Sequence, residues 1–216
     1  MESEQKLHIG MKAPEFECDT TFGKFKLSDF KGKWLVFFSH PGDFTPVCTT
    51  EFLAFASCYD KFKNLDTQLL ALSIDSNPSH LAWVHNIYTN SNVVIPFPVI
   101  ADTTGKIARL YGMSTIDNSS CVRTVYIIDP AGTIRASLNY PKEIGRNIFE
   151  ILRLLTALQT SDTQNVVTPA NWEEGTPTIV KSPSTYEDLK ELILNSSSYH
   201  YYDWYLCFKK EMEESK

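Results

Sequence analysis

The chain has 216 residues, 43% hydrophobic and 21% charged, with a net charge of -6. That is room for one full domain plus a small satellite, and it is too apolar for a disordered chain. With 20 Lys+Arg against 26 Asp+Glu and no basic run, DNA or RNA is not expected as principal partner.

The apolar runs Trp34–Phe38 and Val93–Ala101 fall well short of the roughly 20 residues that cross a bilayer. The start, MESEQKLHIG, lacks the apolar stretch of a secretory signal, so the expected compartment is cytoplasmic. Five cysteines (Cys18, Cys48, Cys58, Cys121, Cys207) are an odd number at low density. Free thiols are expected in a reducing compartment, at least one of them reactive.

In chain order, Trp34–Ser39 is a continuous apolar run, as in a central strand buried on both faces. Phe52, Phe55, Tyr59 and Phe62 recur at helical spacing, predicting one helix over Thr49–Leu65. Gln68–Asp75 reads as the next buried strand, and Asn77-Pro78-Ser79 starts a helix through Trp83 and Ile87. Ile95–Ile100 holds Pro96 and Pro98, which restricts it to an edge strand or extended chain. Thr104–Tyr111 is a short helix stopped by Gly112.

The strands Val122–Asp129 and Thr133–Tyr140 flank the turn Asp129-Pro130-Ala131-Gly132. Gly145–Leu158 then carries Ile148, Ile151, Leu152, Leu155 and Leu158 on one helical stripe. Strands alternating with helices, then a hairpin and a last helix, predict an α/β sandwich around a mixed sheet. The division expected is a main domain over 1–162 and a C-terminal segment over 163–216. That segment is extended and turn-rich, with a helix at Tyr186–Leu194 and an aromatic cluster at Tyr199–Phe208. It is too small to hold its own core and must dock on the main domain or a second subunit.

The chemistry concentrates in Ser39-His40-Pro41-Gly42-Asp43-Phe44-Thr45-Pro46-Val47-Cys48-Thr49-Thr50-Glu51, between a buried strand and an amphipathic helix. Cys48 falls in the first helical turn, beside unpaired N–H groups and the positive end of the helix dipole. That setting favours thiolate over thiol and makes the sulfur a nucleophile. The alternative is a small buried hydrophobe, as most free cysteines are. Thr45, three residues earlier, has a hydroxyl that can donate to the thiolate or to a substrate oxygen. Pro41 and Pro46 remove competing donors, and Glu51 is placed to close the helix start as a capping box.

Pro41-x-x-x-Thr45-x-x-Cys48, within its longer setting from His40 to Glu51, resembles the peroxidatic motif of the peroxiredoxins, in particular the 1-Cys subfamily and its archaeal and bacterial relatives. Tyr140-Pro141, Gly145-Arg146-Asn147, Glu150–Arg153 and Thr168-Pro169-x-Asn171-Trp172 extend the resemblance over nearly the whole chain. It implies a thioredoxin-like fold and a thiol-dependent peroxidase for hydrogen peroxide and organic hydroperoxides, with Cys48 cycling through a sulfenic acid. It also implies that Thr45 and backbone N–H groups hold the peroxide, and that Arg123 matches the family's arginine. The other reading of Arg123 is a surface cation on an edge strand. Arg146 resembles a second arginine near the site, or else caps or solvates a helix start. His40 matches the subfamily histidine before the proline, or is a packed strand-end histidine.

Cys207, in the aromatic Asp203-Trp204-Tyr205-Leu206-Cys207 end, resembles the resolving cysteine of archaeal members, though their usual upstream companion cysteine is missing here. Cys18, Cys58 and Cys121 match no motif and read as structural. His80 and His85 lie five apart, on different helix faces, and read as unimportant to the chemistry. No CxxC, HExxH or Gly-rich phosphate loop occurs, so no metal, flavin or nucleotide is expected. Lys31-Gly32-Lys33-Trp34-Leu35 offers no serine nucleophile, so no lipase activity is expected.

The partners implied are a peroxide, a thioredoxin-like protein or small thiol as reductant, and a second copy in a homodimer, with rings of dimers as a larger assembly. A redox sensor or holdase shares the first chemical step. A disulfide oxidoreductase is disfavoured because Cys48 has no CxxC partner.

Overall fold

The computed structural model describes residues 7–115, 117 and 119–210. It divides into two compact units, one up to Ile148 and one from Phe149 onward.

The first unit opens with a hairpin, β1 (Glu17–Thr20) and β2 (Gly23–Lys26), that has no apolar run to announce it. Then come β3 (Trp34–Ser39), α1 (Pro46–Ser57), α2 (Tyr59–Asn64), β4 (Thr67–Ser73), α3 (Asn77–Ser91), β5 (Val99–Ala101), α4 (Lys106–Leu110), β6 (Arg123–Ile128) and β7 (Ile134–Tyr140). Its seven strands form one mixed sheet in the order β2-β1-β5-β4-β3-β6-β7. The β3/β4 and β4/β5 pairs are parallel, and β3/β6 and β6/β7 antiparallel.

All six residues of β3 are buried, because neighbours occupy both its edges and side chains cover both its faces. The pleat sends Leu35 and Phe37 into a core with Leu70, Leu72, Tyr111, Tyr126 and Ile128. Phe38 points to the opposite face, where it stacks on Phe55 at 4.2 Å and meets Phe52 and Phe97 edge-on. The expected mixed-sheet α/β architecture is therefore the one observed.

Two expectations change. The helix predicted over Thr49–Leu65 is two helices, starting three residues earlier at Pro46 and broken at Cys58, whose φ of -98° and ψ of 2° leave the helical region. Of the two readings for the segment with Pro96 and Pro98, the prolines lie in chain outside any strand, and the part that does pair, β5, is not at an edge but between β1 and β4. Only Val99–Ala101 pair there, so the prolines sit before the ladder and cost it no donor. Pro98 instead accepts from the Ala71 N–H at 3.0 Å. The β6–β7 turn forms as predicted, with Asp129 Oδ1 accepting from Ala131 N and Thr133 N.

The second unit carries most of α5 (Ile148–Gln164), which runs past the predicted end at Leu158. After it come β8 (Val166–Val167), β9 (Ile179–Val180), α6 (Tyr186–Leu194), β10 (Tyr199–Asp203) and β11 (Leu206–Lys209). Its strands form a second, antiparallel sheet ordered β10-β11-β9-β8. The aromatic cluster expected at Tyr199–Phe208 is the β10/β11 hairpin. Thr185 caps α6 through a reciprocal pair with Asp188.

Candidate active site

The site is built where β3 hands over to α1. Phe44 takes a positive φ of 54°, turning the chain sharply. Thr45 is extended as the N-cap, and Pro46 opens the helix, where a missing N–H costs nothing. Cys48 thus lies in the first turn of α1, and it is fully buried.

Arg123, the first residue of β6, reaches it. Its Nη1 donates to Cys48 Sγ at 3.4 Å and to Glu51 Oε2 at 2.8 Å, while Nε donates to the Lys142 carbonyl at 3.0 Å. Arg123 is 2% exposed on an internal strand, so it is not a surface cation at an edge. Arg146 is buried too, and binds the same carboxylate in a fork: Nε to Glu51 Oε1 at 2.9 Å and Nη2 to Oε2 at 2.6 Å. Its backbone N–H donates to Oε1 at 2.8 Å and its Nη1 to the Ser39 carbonyl at 2.8 Å. The guanidinium also sits over the Phe38 ring, 5.0 Å from its centre. Arg146 therefore neither solvates nor caps a helix.

Glu51 was expected to close the helix start. It instead accepts from both arginines, because residues 48 and 51 lie on one helix face and that face is turned inward. One carboxylate thus holds two guanidinium groups in place, and the excess positive charge faces the sulfur. The chemistry available is a thiol kept beside a fixed cation with N–H donors to spare.

Thr45 was expected to donate to the thiolate or to a substrate oxygen. Its Oγ1 donates to the Gly42 carbonyl at 2.8 Å, which leaves its lone pairs free to accept. Pro41 is buried, and its carbonyl accepts from Ser120 Oγ at 3.0 Å.

A second buried chain runs behind the turn. His40 and His80 are both fully buried, and both face Asp43. His40 Nε2 lies 3.2 Å from Asp43 Oδ1; His80 Nδ1 lies 3.0 and 2.9 Å from the two carboxylate oxygens. Burial pushes the Asp43 carboxyl up, but hydrogen bonds from His40, His80 and Ser79 outweigh it and hold Asp43 well below the usual carboxylate range. Burial keeps His40 below the ordinary imidazole value, against the pull of Asp43. These three residues place ligand-type atoms within 4.8 Å of one another, and each is already hydrogen-bonded within the group.

Sequence reasoning missed Glu51 and His80 in these settings. His80, Trp83 and Ile87 lie at helical spacing and are all buried, so the apolar stripe of α3 held the signal for His80. The remaining cysteines are free thiols. Burial pushes Cys18 and Cys121 up to about 12, which suits a structural role. Cys207 lies in β11 of the second unit, where its Sγ donates to the Asp203 carbonyl at 3.1 Å. Burial and Asp203 hold its thiol above the ordinary value.

A mixed sheet with a cysteine at the start of a flanking helix, met by a buried arginine, defines a thioredoxin-like thiol enzyme. Residues 9–137 match the AhpC/TSA family, and residues 157–196 match the C-terminal domain of 1-Cys peroxiredoxin. The chain belongs to the peroxiredoxins and is a thiol-dependent peroxidase, using a peroxide and a thiol reductant.

Peroxiredoxin 2 of Caldanaerobacter subterraneus subsp. tengcongensis is 56% identical over 94% of this chain and 92% of its own. The peroxiredoxin of Methanocaldococcus jannaschii is 47% identical over 94% and 98%. Among solved structures, a yeast mitochondrial 1-Cys peroxiredoxin superposes with a TM-score of 0.85 at 39% identity, covering 94% of this chain and 99% of that one. A cysteine-to-serine mutant of the peroxiredoxin 6 of Arenicola marina gives 0.83 at 34% identity, covering 96% and 99%. Among the described residues no helix is long and apolar enough to cross a membrane.

Proposed function

We propose that Cys48 is the peroxidatic nucleophile and that Arg123, Arg146, Thr45, Pro41 and His40 form its working surroundings. The observation that carries this reading is the 3.4 Å hydrogen bond from Arg123 Nη1 to Cys48 Sγ, inside a buried Arg–Glu–Arg cluster. The Cys48 thiolate attacks the terminal oxygen of a hydroperoxide. An S–O bond forms, the O–O bond breaks, sulfur is oxidised by two electrons to sulfenic acid, and the leaving alkoxide or hydroxide takes up from solvent the equivalent of the proton the thiol gave up, departing as alcohol or water. Arg123 donates to the oxygens as charge shifts from sulfur to the leaving oxygen, in the manner of a preorganised anion site. Thr45, its proton committed to Gly42, accepts from the peroxide O–H and fixes its line of approach. Arg146 acts through Glu51, and Pro41 and Pro46 present no N–H that would compete.

Hydrogen peroxide and small organic hydroperoxides are the proposed substrates. The yeast relative is described as resolved via glutathione/thioredoxin systems; a small thiol or thioredoxin-like protein is proposed here. Cys207 is proposed to resolve the sulfenic acid as a disulfide across a homodimer, the dimers building further into a ring. Exposed Tyr202, Trp204 and Tyr205 support a partner covering that hairpin. The peroxidase domain is proposed to span 1–162 and the dimerisation arm 163–216, in the cytoplasm.

The test is peroxide consumption with a recycling thiol. Wild type is expected to turn over many equivalents and Cys48→Ser none; turnover by Cys48→Ser overturns the assignment.

A further inference from the structure

His80 has two hydrogen-bonding nitrogens and two acceptors facing them. Nε2 lies 3.1 Å from the Ile100 carbonyl, which only accepts, so the hydrogen is on Nε2. Nδ1 lies 3.0 and 2.9 Å from both oxygens of Asp43. A neutral His80 would turn a lone pair on Nδ1 toward the carboxylate at that distance. A second proton, on Nδ1, removes the conflict and gives Asp43 a buried counter-charge.

The other groups around the pair agree. Ser79 Oγ donates to Asp43 Oδ2 at 2.7 Å, and the Asp43 N–H donates to Asp75 Oδ2 at 3.0 Å. Two carboxylates beside two neutral imidazoles would leave the cluster strongly negative. His40 then meets an ionised Asp43 through Nε2–H, and its Nδ1 is buried with no partner. Burial and the nearby charges of His80 and Arg146 oppose a second proton on His40.

We propose that His80 is a positioning residue of the peroxidase. As an imidazolium it clamps the Asp43 carboxylate, which fixes His40 as the Nε2–H tautomer with Nδ1 bare, and holds the turn that presents Thr45 and Cys48. Asp43 sits in the middle of that turn, between Pro41 and Thr45, so a loosened Asp43 shifts both ends of it. Of the groups facing His80, Asp43, with Asp75 behind it, favours its charge, while His40, if protonated, opposes it.

The test uses the full chain with ¹⁵N-labelled histidine and long-range imidazole NMR, compared with His80→Asn. At neutral pH one buried imidazole is expected to carry protons on both nitrogens and to vanish in His80→Asn. His40 is expected neutral with its proton on Nε2. A neutral His80 overturns the proposal. This spectrum needs no turnover, so its failure leaves the peroxidase reading standing.

The kinetic arm rests on that reading and follows the rate of Cys48 oxidation. Asparagine places an uncharged, non-titrating donor near the position of Nδ1, so His80→Asn is expected to stay within about tenfold of wild type. His80→Leu, with no donor, is expected to fall by up to about a hundredfold, the scale of a misplaced reacting group. A His80→Leu rate equal to that of wild type, or no faster oxidation in His80→Asn than in His80→Leu, overturns the positioning role. Should His80→Leu not fold, the spectrum and the Asn variant decide.

Discussion

Glu51 is the carboxylate on which two buried guanidinium groups depend, and it carries no reacting atom itself. Removing one partner of a buried ion pair strands the others without water. Glu51→Gln is therefore expected to destabilise the fold by about 3–5 kcal/mol, read from urea unfolding. It should also slow Cys48 oxidation, because Arg123 loses its restraint; an unchanged stability would contradict the cluster as drawn.

The histidine–aspartate pair gives a second prediction at this scale. His40 is held below its ordinary value, so the unfolded chain binds its proton first, and stability falls as pH drops below about 6.5. Asp43 is also held low, so its contribution is full above about 4 and is lost as pH falls through the folded value. Denaturant titrations should show both losses on the acid side. Asp43→Asn should remove the lower one.

The strand–turn–helix around Cys48 was legible at the element scale. A continuous apolar run marked β3, and the helical spacing of Phe52, Phe55, Tyr59 and Phe62 marked the helix after it, though not its start at Pro46. The buried network was not, because it depends on which residues tertiary packing turns inward. Arg123 lies 75 positions from Cys48 in sequence, a distance no local periodicity spans. The β1/β2 hairpin escaped notice for a different reason: its strands are polar and short, held by pairing to one another and to β5. In the second unit α6 was read correctly because its apolar spacing and cap agree. Thr185→Ala should cost about 1 kcal/mol in the stability of that region, measured by hydrogen exchange, since it removes the cap to Asp188.

At the scale of the whole molecule, the peroxidatic site lies in the first unit and Cys207 in the second. Because burial and Asp203 hold the Cys207 thiol up, formation of the proposed disulfide should accelerate as pH rises past the ordinary cysteine range. One equivalent of peroxide should give a disulfide-linked dimer on a non-reducing gel. Cys207→Ser should abolish it; a dimer that persists there would remove Cys207 from the cycle.

In the proposed cycle the oxidised atom is the sulfur of Cys48. The most direct measurement is peptide mass mapping after one equivalent of hydrogen peroxide in the presence of a sulfenic-acid trap. The Cys207→Ser protein is used, so that no disulfide competes. The adduct is expected on Cys48, with neither adduct nor peroxide loss when Cys48 is also changed to Ser. An adduct on Cys18, Cys58 or Cys121, with peroxide still consumed in the Cys48→Ser protein, would contradict it.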